Sequence, residues 1–230
     1  MNVDYSVRQQ QARALLDGLH PVRFGDLPEP LLKQALSSNA GRRHLARAAV
    51  RYVPGVFAPD HERWQCWQDE PWLQWPQSRI QAFSQTLGAI ALGPALRMIV
   101  ERNAVLFVRN ALGIENWRYA QSANPWPESE SAPEAIRNMG EAVLKRCGSD
   151  AHALSTAVLE RGKIEFIGYA ERRHESLAAR LALAYAEVSA GSCKGSCWLP
   201  ASTVPMLLAE QKALDVDSST ELMTAEGPIE

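Results

Sequence analysis

The sequence predicts an all-α fold: a compact bundle of roughly eight helices around a central helical pair, with irregular, orthogonal packing. Three observations carry this reading. Apolar residues recur at three- and four-residue steps through most of the chain. Glycine and proline punctuate those stretches at places suited to helix ends. Strand signals are thin; Lys163 to Tyr169 is the best candidate, and a helix accounts for it equally well.

The central pair is expected between Trp75 and Trp117. Pro76 suits a helix start, and Ile80, Phe83, Leu87 and Ile90 then fall on one face. Gly93-Pro94 is expected to break and restart the chain. A second helix would carry Leu96, Ile99, Val100, Leu106 and Phe107 as far as Gly113, placed as a C-cap glycine. Arg97, Arg102 and Arg109 would lie on this second helix, Arg102 and Arg109 nearly on one face.

Composition sets the outer bounds. Hydrophobic residues make up 46% of the 230 and charged residues 22%, ordinary values for a globular chain, so wholesale disorder is not expected. The net charge of −2 supplies no global field for DNA or RNA, whose binders are usually strongly basic. The window Leu87 to Leu96 is about half of what a bilayer span needs, and it contains Gly93-Pro94. The N-terminus has no apolar run after a basic start, so no signal peptide is expected and the location reads as cytoplasmic. Four cysteines fit reduced thiols.

Taken in order, Val3 to Leu19 reads as a first helix with Asp4 as its N-cap and Val7, Ala14, Leu15 and Leu19 as its apolar positions. His20-Pro21 and Gly25 to Pro30 form a proline-stiffened connector, and Leu31 to Leu36 a short helix begun by Pro28 or Pro30. Gly41 to Tyr52 is another helix, on which Arg43, Arg47 and Arg51 share a face. That stripe is either a solvated face or a basic surface for an acidic partner protein. Trp64, Trp67, Trp72 and Trp75 crowd the next stretch. They are read as rings capping the central pair, with a partner-binding patch as the other reading.

Ser122 to Pro133 is the clearest break, an exposed connector that divides 122–133 off as a boundary between two helical halves of one domain, 1–190. Ala135 to Arg146 follows with Ile136, Met139, Val143 and Leu144 as its buried side. Ser149 and Asp150 offer N-caps for a helix through Leu154, Val158 and Leu159, which Gly162 weakens. A further helix is expected over Ile164 to Val188, with Ile167, Leu177, Leu181 and Tyr185 at helical spacing. The remainder, 191–230, reads as a turn-rich loop, a short helix over Val204 to Leu214 and a frayed acidic tail from Asp215.

Chemistry-bearing constellations are sparse. Cys193 and Cys197 form a C-x3-C, but zinc needs about four ligands, and Cys66 and Cys147 stand alone. Glu171-x-x-His174 has the spacing of helical di-iron carboxylate proteins, which need the motif twice with two further glutamates. Arg172 and Arg173 would add positive charge beside any cation there. No Walker A loop, G-x-G-x-x-G or G-x-S-x-G occurs. No catalytic residue and no cofactor is therefore expected, and what remains is surface chemistry.

The order of these pieces resembles the SctK family of bacterial type III secretion accessory proteins, also called the YscK family. The resemblance rests on Leu16 to Phe24 (LDGLHPVRF), the LP-x-x-LL piece at Leu27 to Leu32, Thr86 to Gly113, and Leu177 to Leu183 (LAARLAL), and so spans roughly residues 16 to 190. It implies a non-enzymatic, mostly helical cytoplasmic adaptor of the sorting platform, peripheral to the inner-membrane apparatus. Such an adaptor bridges the cytoplasmic domain of a ring protein of the SctD family and the pod-forming SctQ family. No nucleic acid and no membrane insertion is implied. The partner-binding residues expected from residue type alone are Arg43, Arg47, Arg51, Trp64, Trp67, Arg102 and Arg109. Two other classes stay open: a metal-dependent helical enzyme using Glu171 and His174, and a secretion chaperone holding an unfolded segment.

Overall fold

A computed structural model of the chain describes residues 16–25, 27–50, 70–126, 131–186, 193 and 196–213. Among these residues there is no strand, and the fold is all-α. In chain order the helices are α1 (Glu29–Ser37), α2 (Asn39–Val50), α3 (Gln77–Leu96), α4 (Arg102–Leu112), α5 (Ile114–Ser122), α6 (Ser131–Cys147), α7 (Ala151–Arg173), α8 (Glu175–Ala182) and α9 (203–213). Short 3-10 turns at Pro21–Phe24 and Pro71–Gln74 precede α1 and α3. No helix among the described residues is long and apolar enough to cross a membrane. Of the expected first helix, positions up to 15 lie outside the described residues, and Leu16 and Leu19 are buried.

The central element is α3. Every residue from Leu87 to Leu96 is buried, the mark of a helix surrounded on all sides. It packs against α5, α6 and α7. This corrects the expected break at Gly93-Pro94, because the helix runs through both residues. Pro94 lies in the last turn, where it removes a single backbone hydrogen bond, to the Ile90 carbonyl. The true break is Arg97 to Glu101, so Leu96 belongs to α3 and Arg97 to the turn after it. Gly113 does close α4, at φ 80°, and also precedes the first turn of α5.

The central pair is likewise not the expected one. The partner of α3 is α7, which stands far from it in sequence. Their crossing is made by two glycines. A Cβ on Gly88 would lie 1.9 Å from the Val158 carbonyl oxygen, and one on Gly162 would lie 1.6 Å from that of Ser84. Backbone therefore meets backbone at this point. Gly162 does not end the helix and permits the crossing, and α7 runs unbroken from its Asp150 cap, whose carboxylate accepts from the His152 and Ala153 amides. Lys163 to Tyr169, the strand candidate, is the middle of this helix.

The expected helix over Ile164 to Val188 breaks at His174. There φ −167° and ψ 142° end α7, and the His174 ring nitrogen Nδ1 accepts from the Ser176 amide to start α8. Two apolar clusters surround the crossing. One gathers Phe83, Leu87, Phe166, Leu177 and Leu181 with the tryptophans of the Pro71–Gln74 turn region. The other gathers Leu92, Leu96, Val108, Leu112, Leu154 and Val158. Both draw on helices from either side of 122–133. On α6 the buried side is Ile136 and Gly140; Met139, expected inside, is exposed because Gly140 is the residue that lies against Ala95.

Gly162→Ala is expected to cost about 3 kcal/mol or more, the upper end of overpacking, since the obstacle is a carbonyl that cannot turn aside. Gly148→Ala, at φ 56° with open space around it, should cost only about 1 kcal/mol. Chemical denaturation of the two variants checks the ranking.

Candidate partner-binding surfaces

The structure divides the expected site residues by burial. Arg43 and Arg47 are exposed on α2, as a shared face requires; Arg51, Trp64, Trp67 and Cys66 lie outside the described residues. Trp72 and Trp75 are core. Trp72 meets Phe166 edge-on at 5.4 Å, and Trp75 meets Phe83 at 5.4 Å. The Trp72 indole N–H donates to buried Glu70 at 2.7 Å, and the same carboxylate accepts from the Tyr169 hydroxyl (3.0 Å) and Arg173 Nε (3.1 Å). These two rings are the cap on α3 and α7, and no partner can reach them.

Three arginines expected on one helix have different fates. Arg97 turns inward, and its guanidinium donates to the Ala120 and Ala123 carbonyls at 2.8 and 3.1 Å. Burial lowers its pKa. Arg102 and Arg109 stay exposed on α4. The inner face of α4 is Val108 and Leu112; Val100 and Leu106, expected inside, are exposed. Leu106 falls between Arg102 and Arg109 on the outer ridge, since positions 102, 106 and 109 share a helical face. The corner after α4 is held by Asn116, which donates to the Leu112 carbonyl (3.0 Å) and accepts from Thr86 of α3 (2.9 Å).

Exposed large apolar side chains gather in the sequence where these arginines are. Met98 (56% exposed), Val100 (91%), Leu106 and Ile114 (55%) belong to α4 and its two joints. Val22 and Leu31 (51%) belong to the Pro21–Phe24 turn and α1, which pack with α2, the helix of Arg43 and Arg47, and Leu27 lies on the connector between that turn and α1. Two surface regions on separate elements thus combine aliphatic side chains with arginine. The aliphatic half of each was missed. A helical pattern does not distinguish a buried stripe from an exposed one, and Val100 precedes its helix.

The constellations weighed for chemistry resolve into structure. His174 is a cap, so Glu171 and His174 do not share a helical face, and the Glu171 carboxylate accepts from the Cys193 amide at 3.1 Å. Among the described residues no three His, Cys, Asp or Glu side chains gather as a metal site. Cys193 and Cys197 are free thiols, and burial pushes both pKa values up, away from the thiolate that metal binding and redox chemistry use. The Cys197 thiol packs on Gly168 and donates toward the Cys193 carbonyl at 3.3 Å.

This loop is strapped to α7 by a buried ion pair that sequence reading did not identify. Glu165 accepts from the Trp198 amide (2.7 Å), the Leu199 amide (3.1 Å) and Arg161 Nη2 (2.8 Å). Arg161 also donates to the Ser196 carbonyl (2.8 Å) and lies 4.5 Å from the Trp198 ring centroid. Burial raises the Glu165 pKa and lowers that of Arg161, so desolvation outweighs their attraction and the hydrogen bonds hold the strap. An i, i+4 pair of this kind reads as a solvated helix edge from sequence alone.

No protein-family model matches the chain, and no curated protein or solved structure matches it.

Removal of one partner from the strap, Glu165→Ala, should cost about 3–5 kcal/mol, because it leaves the largely buried Arg161 charge without its counter-ion and two amides without acceptors. The pH dependence follows from the raised pKa. Folded protein then binds this proton more readily than unfolded protein, so the group's stabilising contribution is complete below the ordinary carboxyl range. It is lost as pH rises through the raised value. Relative to Glu165→Gln, the wild type should therefore gain melting temperature as pH falls from neutral towards the ordinary carboxyl range. A relative loss would contradict the burial argument.

Proposed function

We propose that the protein is a non-enzymatic adaptor that holds two protein partners, as the resemblance to the SctK family implies. In that setting the partners are a ring-protein cytoplasmic domain and a pod-forming platform protein at the inner-membrane secretion apparatus. One observation carries the reading. Exposed aliphatic side chains and exposed arginines coincide in two regions, the α1–α2 end and α4 with its joints. Large apolar side chains left on the surface beside arginine are the ordinary material of protein interfaces. A spacer between two partners also needs a stiff body, and the glycine-mediated contact of α3 with α7 supplies one.

Co-purification with a SctD-type cytoplasmic domain and with a SctQ-type protein tests the reading. The wild type is expected to retain both. Charge reversal at Arg43 with Arg47, and separately at Arg102 with Arg109, should each weaken one partner about tenfold or more and spare the other. Failure to retain either partner would overturn the adaptor.

A further inference from the structure

From the outer face of α4 we infer a docking site for one kind of partner segment, an acidic amphipathic helix of another protein; this rests on the adaptor reading above. Arg102, Leu106 and Arg109 stand at i, i+4 and i+7, so the ridge alternates cation, aliphatic, cation over two turns. Val100 stands just before the helix and Ile114 just after it, both more than half exposed. Between Arg102 and Ile114 the sequence has two arginines and no carboxylate. Of the two acidic residues at the ends, Glu115 is tied to Arg118 at 3.2 Å, and Glu101 is exposed before Arg102, so the positive stretch begins at Arg102. The ridge therefore asks for an apolar stripe bordered by negative charge. Guanidinium groups favour carboxylates, which they can grip with two parallel hydrogen bonds. A helix fits the length, since eleven residues span about 16 Å and a partner helix of two to three turns covers that distance.

The support behind the ridge is ordered. Val108 and Leu112 anchor α4 in the core, Arg97 pins the turn before it to α5, and Asn116 pins the corner after it to α3. A face held in this way loses little conformational entropy when a partner docks.

The test uses the full chain and a designed probe: a labelled helical peptide of about 20 residues with a Leu/Ile stripe flanked by Glu, and its twin with every Glu replaced by Lys. Fluorescence anisotropy should show the Glu peptide binding and the Lys peptide not binding. R102E with R109E should weaken the Glu peptide about tenfold and let the Lys peptide bind, and added salt should weaken both pairings. Leu106→Ser with Val100→Ser should also weaken the Glu peptide, and circular dichroism confirms that each variant folds. Equal binding of both peptides, no binding of the Glu peptide, or an indifferent charge reversal would overturn the inference. So would phosphatidylglycerol vesicles bound through the same arginines in place of the peptide. Binding that appears only after the carboxylates of residues 215–230 are neutralised would assign the face to the chain's own acidic segment and overturn it too. The adaptor reading fails separately. A ring domain retained equally by wild type and by R102E with R109E keeps the adaptor and removes this face. A Glu peptide that binds as expected while no ring domain or platform protein is retained keeps the face and removes the adaptor.

Discussion

The contact on which the structure depends is the backbone-to-backbone crossing of α3 and α7. Two glycines, Gly88 and Gly162, bring one helix within reach of the carbonyls of the other. Close approach multiplies dispersion contacts along both axes, because interiors gain from density as well as from dryness. It also sets the position of everything else. With α7 drawn in, Phe166 reaches Phe83 at 5.0 Å and Trp72 at 5.4 Å, and Leu154 and Val158 reach the second cluster. The same economy recurs along α3. Gly93 admits the Ala120 carbonyl of α5, and Ala95 lies against Gly140 of α6. Small residues spaced along one buried helix let several neighbours approach its axis.

That arrangement explains what was legible in the sequence and what was not. The all-α class, the Asp150 cap, the Gly113 C-cap and the bounds of α1 and α6 to within a few residues follow from local rules, and local rules are carried by local residues. The errors came where tertiary contact reverses a local cost. Gly162 is a poor helix former, yet it sits inside a long helix because a carbonyl of another helix occupies the space of its side chain. Gly93-Pro94 reads as a stop, yet the proline falls in the last turn and removes one hydrogen bond only. Conversely His174, with no strong breaker beside it, ends one helix and caps the next. The pairing of α3 with α7 was invisible, because periodicity reports which face is apolar and not which distant helix will cover it.

Surface chemistry was less legible still, and the arginines show why. By residue type Arg97, Arg102 and Arg109 are alike. In the fold Arg97 satisfies carbonyls at the end of α5, a use that depends on where α5 returns. Arg161 and Arg173 are likewise engaged, one in the strap over Glu165 and one on buried Glu70. Arg161 is largely buried and adds order at a desolvation cost, while Arg173 stays half-exposed with its Nε committed to Glu70. Engagement within the fold, rather than residue type, therefore separates the arginines that hold this molecule together from those left open on its surface.

The same criterion changes the weight of the tryptophans. Tryptophan and arginine are both favoured interface anchors, so from residue type alone Trp72 and Trp75 rank with Arg43 and Arg102. Burial removes Trp72 and Trp75 from that set and commits them to the core beside Phe83 and Phe166. Under the proposed adaptor role, recognition would fall to exposed aliphatic side chains such as Val100 and Leu31 and to exposed arginines. Such surfaces gain less from each buried side chain than a tryptophan anchor would, and more of their selectivity comes from charge. Contacts of that kind are screened by salt, assemble fast and release without unfolding the core that supports them.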